Sequence, residues 1–531
     1  MSAAHSADVV IVGSGMNSLT CAALLAVQGL TVTVLERNAV AGGCIRTEEL
    51  FPGFTHDVLS SWYPLFMGGA SYAALSAPLA AAGLEFVQGE YSTGLAIPDG
   101  PALALRQDMD DTVRRFNSLA PGEGDALGAM AARMFGPDAG LVFGLLGGEP
   151  YRWPMAKLMF GAWRERGLDG LMSFGSQALE SFRRWAMREL RTDLARAMIA
   201  PWVLHSGLGP DEASSALIGK LTFGAVVSGG MPVVKGGSVR IVQAFTRIIE
   251  QAGGAVLTGC HVDRVLVEGG KAVGVSAGTQ VYRARRAVVC NVTPGQLYGE
   301  LLPDQVDPGL QQAARDYHYG RGGMQIHFAL NAPPDWVDPE LTRVPMVHVT
   351  ESMEQVCASV VAANNGWLPA KPTLAVGQPV AVDASRAPEG HWILWVQMQE
   401  LPARIKGDEA GQIAAPSDGR WTAEIREAMA DRVQARLERV MPGLTAKIIG
   451  RRSFSPADLE SLNMNLVGGD PYSGVCSPDQ FFFMRPFAGH KKARSGATPW
   501  RNLHHIGASV HPGPGLGGQS GYLAAQRILK G

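Results

Sequence analysis

The start of the chain combines short apolar runs with one helical pattern. Residues 9–12 (VVIV) form a continuous apolar run, which is typical of a strand buried on both faces of a parallel sheet. A helix is predicted from about residue 17 to residue 28, where Gly29 ends it, and residues 32–35 predict the returning strand. This order predicts a βαβ unit of an α/β fold.

A glycine turn joins the first strand to the helix. In Gly13-Ser14-Gly15, the first glycine permits a tight turn and the second lets the backbone approach a pyrophosphate. The N–H groups at the start of the helix would face that anion. Glu36 follows the second strand, where a carboxylate can accept hydrogen bonds from the ribose of an adenine dinucleotide. Although Ser18 replaces the third glycine of the motif, this context favours a dinucleotide site over a βαβ unit without a ligand.

Later segments predict a second architecture. Residues 231–291 resemble the nucleotide-type pattern again, with a helix ending at residue 251 and strands at 255–267 and 287–290, which we expect to extend the first sheet. Strands at 323–330, 374–382 and 391–399, without helices between them, indicate an antiparallel sheet, and 422–441 is an amphipathic helix.

The expected fold is α/β, with a discontinuous Rossmann-type domain and an inserted substrate domain of antiparallel sheet and helices. The expected segments are 1–108, 229–300 and 456–531 for the dinucleotide-binding parts, 109–228 for a helical region, and 301–455 for the substrate domain.

The helical region is unusually rich in Met, Trp and Phe. Residues 151–174 interleave Trp153, Phe160 and Trp163 with basic residues such as Lys157 and Arg164. Such a stretch can lie in a membrane interface, with its basic residues toward lipid headgroups. Core packing and a substrate lid are the alternatives, and a stripe of aromatic residues and methionines is more often core.

Composition narrows the class of protein. The 531 residues carry 46 Lys+Arg against 48 Asp+Glu, so the net charge of -2 does not favour nucleic acid as a partner. The six cysteines form no C-x-x-C pair, which argues against a disulfide framework or a metal site and fits a reducing cytoplasm. No run of eighteen apolar residues occurs, and the first strand begins too early for a signal peptide. We expect a cytoplasmic protein that is soluble or peripheral on a membrane.

A second glycine-rich loop lies near the end of the chain. Residues 504–507 predict a strand end, residues 508–521 contain five glycines, two prolines and one histidine in the run HPGPGLGGQSG, and a helix follows from residue 522 to residue 529. His511 precedes Pro512-Gly513 in this loop. An imidazole there could move a proton, or it could order the loop by bonding to a backbone carbonyl.

These motifs resemble the phytoene-desaturase-like branch of the flavin amine oxidase superfamily, which includes carotenoid desaturases, isomerases and ketolases and the retinol-saturase type of protein. The resemblance runs through VVIVGSGMNSLTCAALL, VLERNAVAGGCIRTEELFPGF, GGMPVVKGGSVRIVQAF and GASVHPGPGLGGQSGYLAAQRIL, and covers most of the chain outside about 110–225. It implies FAD as the cofactor. The implied contacts are the pyrophosphate with the first glycine loop, the ribose with Glu36, the adenine with the backbone of Val262, and the isoalloxazine with the C-terminal loop. The expected cofactor-binding residues are Gly13, Ser14, Gly15, Asn17, Glu36, Arg37, Gly42, Gly43, Val262, Gly507, Ala508, Gly515, Leu516 and Gly517, and the expected catalytic residue is His511.

The resemblance implies an oxidoreductase that transfers hydride between flavin and a C–C or C–N bond of an apolar substrate, for which a polyisoprenoid is one candidate. Flavin carries the redox chemistry, so the protein needs few catalytic side chains of its own. The alternatives are a redox-neutral polyene isomerase and a flavin-stabilised interaction protein with weak activity. Because no second strand-glycine-helix motif for a nicotinamide is found, oxygen, a quinone or another carrier is the expected electron acceptor.

Overall fold

The structure is a computed structural model that describes residues 5–302 and 304–531. The first four residues of the segment predicted as 1–108 lie outside the described residues, as does Pro303.

Helices and strands follow one another along the whole described chain. The first part contains β1 (His5–Val12), α1 (Met16–Val27), β2 (Val32–Leu35), β3 (Thr47–Phe51), β4 (Phe54–Asp57), α2 (Pro64–Met67), α3 (Ala70–Ala81), β5 (Phe86–Val87), β6 (Tyr91–Ala96), β7 (Ala102–Arg106), α4 (Met109–Leu119), α5 (Glu123–Phe135), α6 (Ala139–Gly147) and α7 (Trp153–Leu179). The middle part contains α8 (Phe182–Glu189), α9 (Asp193–Leu204), α10 (Ser215–Gly229), β8 (Val233–Val234), α11 (Val239–Gln251), β9 (Ala255–Leu257), β10 (Arg264–Glu268), β11 (Lys271–Ala277), β12 (Gln280–Asn291), α12 (Pro308–Arg315), β13 (Gly322–Leu330), β14 (Met346–Val349) and α13 (Met353–Asn364). The last part contains β15 (Trp367–Leu368), β16 (Leu374–Gly377), β17 (Trp392–Leu401), β18 (Gly407–Asp408), α14 (Ala423–Glu438), α15 (Leu444–Lys447), β19 (Ile448–Phe454), α16 (Pro456–Leu462), β20 (Leu503–Ile506) and α17 (Gln519–Lys530).

The first sheet is built around β1, which runs parallel to β2 on one side and to β12 on the other. Its order is β10-β11-β12-β1-β2-β9, and β20 also pairs with β12. Val9 and Ile11 pack with the helices α1, α11 and α17, whereas Val10 and Val12 pack with a different apolar cluster on the other face. Burial on both faces explains the continuous apolar run, and the prediction of an α/β fold is confirmed.

Residues 255–267 form two strands, so the prediction of one strand there is wrong. β9 pairs with β2, and β10 pairs with β11 at the far edge of the sheet. Between them Gly259 has φ +67° and donates its N–H to the carbonyl of Asn38. That left-handed turn, together with the mostly polar residues from 258 to 264, separates two short apolar runs. Both strands nevertheless extend the first sheet, as expected.

The second sheet has the order β19-β13-β17-β16-β14-β6-β7. On β17, Leu394, Val396 and Met398 pack in the cluster that includes the apolar face of α14, while the alternate residues face the opposite side. β14 and β6 are parallel neighbours, and the other adjacent pairs are antiparallel. The segment predicted as 1–108 therefore supplies β6 and β7 to this sheet, not to the first one.

Two further predictions about this sheet are wrong. The strand predicted at 374–382 ends at Gly377, because Pro379 has no N–H to continue the ladder and begins a 3-10 turn. A helix, α13, also lies between β14 and β16, whereas the sequence suggested strands without helices.

The helical region contains α4 to α10, and α7 is its most exposed helix. Of its 27 residues, Ala162 is the one that is fully buried. Trp153 is 79% exposed and Phe160 is 60% exposed, so the core interpretation of residues 151–174 is wrong. Gly167 interrupts the helix with φ +68°. Among the described residues, no helix is both long enough and apolar enough to cross a membrane.

Candidate dinucleotide and substrate site

A cavity of about 1000 Å³ is lined by residues from both sheets and from the helical region. Most of the sequence-predicted cofactor-binding residues line it: Gly13, Ser14, Gly15, Asn17, Glu36, Arg37, Gly43, Val262, Ala508, Gly515, Leu516 and Gly517. Gly42, Gly507 and His511 are not among the lining residues. The structure therefore brings together segments from both ends of the chain.

The first glycine loop leaves the N-terminus of α1 open to the cavity. Gly13 has φ +83° and donates its N–H to the carbonyl of Leu35, which makes the tight turn after β1. Gly15 is the N-cap of α1 and has no side chain to cap the helix, and the first turn contains no acidic residue. The free N–H groups and the positive end of the helix dipole make this a favourable position for an anion such as a pyrophosphate.

Glu36 is connected to this loop by a short chain of hydrogen bonds. The backbone N–H and the hydroxyl of Ser14 both donate to Glu36 Oε2, at 3.0 and 2.6 Å. The N–H of Gly42 donates to Ser14 Oγ at 2.8 Å, and the N–H of Asn38 donates to Glu36 Oε1 at 2.9 Å. The carboxylate is thus held in place at the end of β2. Gly42 does not line the cavity, but its bond to Ser14 helps to hold the Glu36 carboxylate in position.

A second pair of glycines packs directly against the first loop. A Cβ on Gly43 would lie 3.1 Å from the Cα of Gly15. Gly42 has φ +124°, and a Cβ there would meet the carbonyl oxygen of Ile45 and, at 2.8 Å, the side chain of Val242. Neither position accepts a side chain, so the two loops keep bare backbone on this wall of the cavity.

The C-terminal loop brings a second open helix N-terminus to the same cavity. Gly518 is the N-cap of α17, with no acidic residue in the first turn, and it lines the cavity with Gln519. A Cβ on Gly521 would collide with the backbone oxygen of Asn17, so α17 packs closely on the start of α1. Gly507 donates its N–H to Ser520 Oγ at 3.0 Å and so closes the base of the loop. Two helix N-termini with glycine N-caps therefore lie beside one cavity, and at α17 the N–H of Gly521 donates to Asn17 Oδ1 at 3.4 Å.

Asn291 joins these loops and is a site residue that the sequence motifs did not predict. Its Nδ2 donates to Ser18 Oγ at 2.9 Å, and Asn465 Nδ2 donates to its carbonyl at 3.1 Å. A Cβ on Gly15 would lie 3.2 Å from Asn291 Nδ2, and one on Gly507 would lie 2.5 Å from Oδ1. Its position at the carboxyl end of β12, beside the carboxyl end of β1, is the signal that could have identified it.

His511 contacts backbone on both sides of its ring. Its Nδ1 lies 2.9 Å from the carbonyl oxygen of Phe482, and its Nε2 lies 2.8 Å from that of Gly148. Burial lowers its pKa, against the raising effect of those two carbonyls, so a neutral ring donates to one of them at a time. Because the ring is 1% exposed and does not line the cavity, the geometry favours the loop-ordering interpretation over acid–base chemistry.

The part of the cavity away from the glycine loops is formed by the second sheet and by α9 and α10. Trp395, Gln397 and Gln399 alternate along β17 and face it, and Ile218, Leu221, Ala225 and Val226 face it from α10. His205, at the C-terminal end of α9, also lines it, with its Nε2 2.9 Å from that of the buried His348. Burial lowers the pKa of His205 to about 4. Burial and the nearby His205 ring together lower the pKa of His348 well below its usual value.

Charged side chains are confined to one end of the cavity. Among the described lining residues the charged ones are Glu36, Arg37 and Glu300. Glu36 and Arg37 follow β2, and Glu300 lies in the π-helical turn after β12, so all three belong to the first sheet and its connections. The rest of the lining is apolar or neutral, which suits a neutral, largely apolar molecule.

Comparisons with known proteins agree with this arrangement. The family model described as "NAD(P)-binding Rossmann-like domain" matches residues 11–76. One of the subunits of limonene dehydrogenase from Castellaniella defragrans is 24% identical over 100% of this chain and 96% of its own length. The zeta-carotene-forming phytoene desaturase of Myxococcus xanthus is 27% identical over 96% of this chain and 90% of its own. A triple mutant of putrescine oxidase superposes with a TM-score of 0.60 at 16% identity, over 99% of each chain, which shows the shared fold.

The relatives in sequence are oxidoreductases, and the fold is a Rossmann-type fold with the architecture of the flavin amine oxidases. Within that class the chain is a relative of the carotenoid desaturases, and the resemblance to the phytoene-desaturase-like branch is confirmed. The prediction that the protein is a flavin-type oxidoreductase is confirmed with it.

Proposed function

We propose that the protein is an FAD-dependent dehydrogenase that removes hydrogen across a C–C bond of an apolar, isoprenoid-like substrate. The observation that carries the proposal is the pair of helix N-termini with glycine N-caps, on α1 and α17, beside a cavity that continues into an apolar region. FAD, when bound, supplies the hydride acceptor. The residues present fit this cofactor, since the bare glycine backbone leaves room for a pyrophosphate and Glu36 can bind a ribose.

Each part of the chain has a defined task in this proposal. The N–H groups of α1 bind the pyrophosphate, and Glu36 accepts from the ribose hydroxyls. The N–H groups at the start of α17 would stabilise the negative charge that the flavin ring system gains on reduction. The apolar walls from α10 and β17 position the substrate and keep water away from the reacting carbons.

Cofactor extraction and anaerobic reduction test the proposal. We expect heat-denatured protein to release FAD, and the visible flavin band to bleach when the enzyme is mixed anaerobically with a polyene substrate. Fatty acyl compounds and amines serve as the comparison substrates. Release of NAD alone, or of no nucleotide, contradicts the proposal. Substrate consumption with no change in product mass and no bleaching assigns the protein to the isomerase alternative.

For electron transfer we propose oxygen, a quinone or another carrier as the acceptor. We assign the glycine loops at both ends of the chain to a single dinucleotide, and the glycine pair Gly236-Gly237 before α11 does not line this cavity. Reoxidation of the reduced enzyme should be fast with a soluble quinone or with oxygen. Rapid, saturable oxidation of NADPH by the enzyme alone contradicts this acceptor assignment.

We also propose that α7 contacts a membrane surface. Trp153, Phe160 and Trp163 are exposed, and Lys157 and Arg164 lie among them on the same helix. α6 leads into α7, and its Phe143 and Leu146 line the cavity. A membrane at α7 would thus lie close to α6, and an apolar substrate could pass from the membrane into the cavity there.

A further inference from the structure

His205 is a polar group of the cavity that the chemistry above does not use. It lies just after α9, lines the cavity and is partly exposed, whereas its neighbour His348 is 1% exposed. The stacked ring of Trp202 covers one face of the His205 imidazole, with centroids 4.7 Å apart. No described residue hydrogen-bonds to its Nδ1, because the one hydrogen bond of the ring is the contact from Nε2 to His348.

The contact between the two rings constrains their protonation. Two neutral imidazoles share one proton along the Nε2–Nε2 line of 2.9 Å, so one ring donates and the other accepts. If His205 donates, its Nδ1 is an acceptor toward the cavity; if His348 donates, the Nδ1 of His205 is a donor. The pair can therefore hydrogen-bond either a hydroxyl or a carbonyl.

The second sheet places another neutral polar group near this pair. Gln397 on β17 lies opposite Ala375 on β16, which lies opposite His348 on β14, so these residues form one row across the sheet. Gln397 is partly exposed and lines the cavity, and its Oε1 accepts a hydrogen bond from Gln399 Nε2 at 2.9 Å. Its own Nε2 has no partner among the described residues. Two polar side chains, those of His348 and Gln397, thus lie in one row of the sheet with Ala375 between them.

We propose that the substrate is a neutral apolar compound with a hydroxyl or carbonyl oxygen, and that His205 binds that oxygen with His348 as its positioning residue. The proposal rests on the proposed function and adds the substrate class. Burying a hydrogen-bonding group such as the His205 Nδ1 against a pure hydrocarbon would cost free energy, whereas an oxygen on the substrate offsets that cost. An ammonium or a carboxylate finds no charged partner here, since the charged lining residues belong to the first sheet and its connections.

Matched ligands on the FAD-loaded enzyme test this proposal. The compounds are farnesol, farnesene and farnesylamine, and the dissociation constants are measured from the shift of the flavin absorption band and from tryptophan fluorescence. We expect farnesol to bind at least about tenfold more tightly than farnesene, and farnesylamine to bind most weakly. Hydrophobicity alone would produce the opposite order for the first two compounds.

Variants locate the interaction. H205F should weaken farnesol about tenfold and leave farnesene within about twofold, whereas H205Q, which keeps a hydrogen-bonding group, should retain part of the preference. His391→Phe is the matched control, because that histidine is partly exposed and bonds to the Glu389 carbonyl. Equal binding of farnesol and farnesene, or equal loss of both in H205F, overturns this proposal. Absence of FAD, or of flavin bleaching with every substrate, overturns the proposed function instead.

Discussion

At the scale of single residues, the dinucleotide site depends on positions where a side chain cannot fit. We expect Gly15→Val to abolish FAD retention, because an added side chain would compete with the pyrophosphate and its Cβ would press on Asn291 from 3.2 Å away. The measurement is the ratio of flavin to protein absorbance after desalting. Gly161→Val on α7 is the control, since a Cβ there meets no atom within 4 Å. Full flavin occupancy in Gly15→Val would place the pyrophosphate elsewhere.

His511 is the expected catalytic residue, but its contacts in the structure favour a role in ordering the loop. We expect His511→Ala to lower the thermal midpoint by a few degrees and to lose FAD together with turnover, because the loop loses its contacts to Phe482 and Gly148. Differential scanning fluorimetry and the flavin spectrum report these losses. An intact midpoint and flavin spectrum with turnover about 10²-fold slower would instead assign His511 to acid–base catalysis.

The residues that sequence could identify are those whose role is local. Gly13, Gly15 and Glu36 lie within one βαβ unit, so their spacing alone predicts their neighbourhood. Asn291, His205 and His348 meet through strand pairing and helix packing between distant segments, such as β12 beside β1 and α9 beside β14. The residue types of the histidine pair carry no spacing signal, so this pair could not be predicted from the sequence, whereas the one sequence signal for Asn291 is its place at the carboxyl end of β12.

At the scale of secondary-structure elements, α7 is the clearest case in which composition misled. Aromatic residues and methionines usually indicate core, but here the helix lies on the outside of the molecule and packs on α6. By contrast, β1, α1 and β13 follow their sequence patterns closely, apart from an earlier start of β1. The difference arises because burial depends on which neighbours a helix acquires, and the sequence of the helix does not contain them.

The exposed face of α7 gives a prediction about membranes. We expect the protein to co-sediment with vesicles that contain anionic lipid, and the double variant F160S/W163S to bind about tenfold more weakly, because two exposed aromatic side chains no longer enter the interface. Vesicles of zwitterionic lipid should bind less, since Lys157 and Arg164 have no anionic headgroups to meet. M187S, at another exposed apolar side chain on α8, is the control. Equal sedimentation of wild type and double variant would exclude α7 as the contact.

At the scale of the whole molecule, both ends of the chain and the middle meet at one cavity. α17 closes over the start of α1 through Gly521, and the second sheet supplies the opposite wall from β13, β14 and β17. The cofactor region and the substrate region are therefore parts of a single packed structure. Binding a dinucleotide should then stabilise the folded chain as a whole, by an amount that rises with the ligand concentration relative to its dissociation constant.

The same packing buries an unusual share of the histidines, which makes folding stability depend on pH. Burial is the main cause that lowers the pKa of seven histidines. The pKa falls to about 2 for His56 and below the usual range for His348 and His511. It falls to about 4 for four others, which are His205, His327, His504 and His505. In the unfolded chain a histidine has a pKa of about 6.5. Below that pH the unfolded state takes up protons that the folded state does not, so stability that is fully present above about pH 6.5 is lost as the pH falls toward about 4.

We therefore expect the urea midpoint to fall steeply between pH 7 and pH 5.5. Each buried histidine contributes at most about 1.4 kcal/mol per pH unit in this window. His56→Leu should make the dependence shallower by one such contribution, because neither ring nitrogen of His56 has a hydrogen-bond partner among the described residues and burial keeps the ring neutral. Phe454→Leu is the control: it disturbs packing beside His327, so it should lower the midpoint at both pH values without changing the slope. A midpoint that is the same at pH 7 and pH 5.5 would show that these histidines are protonated in the folded protein, and hence that the interior is wetter around them than their burial indicates.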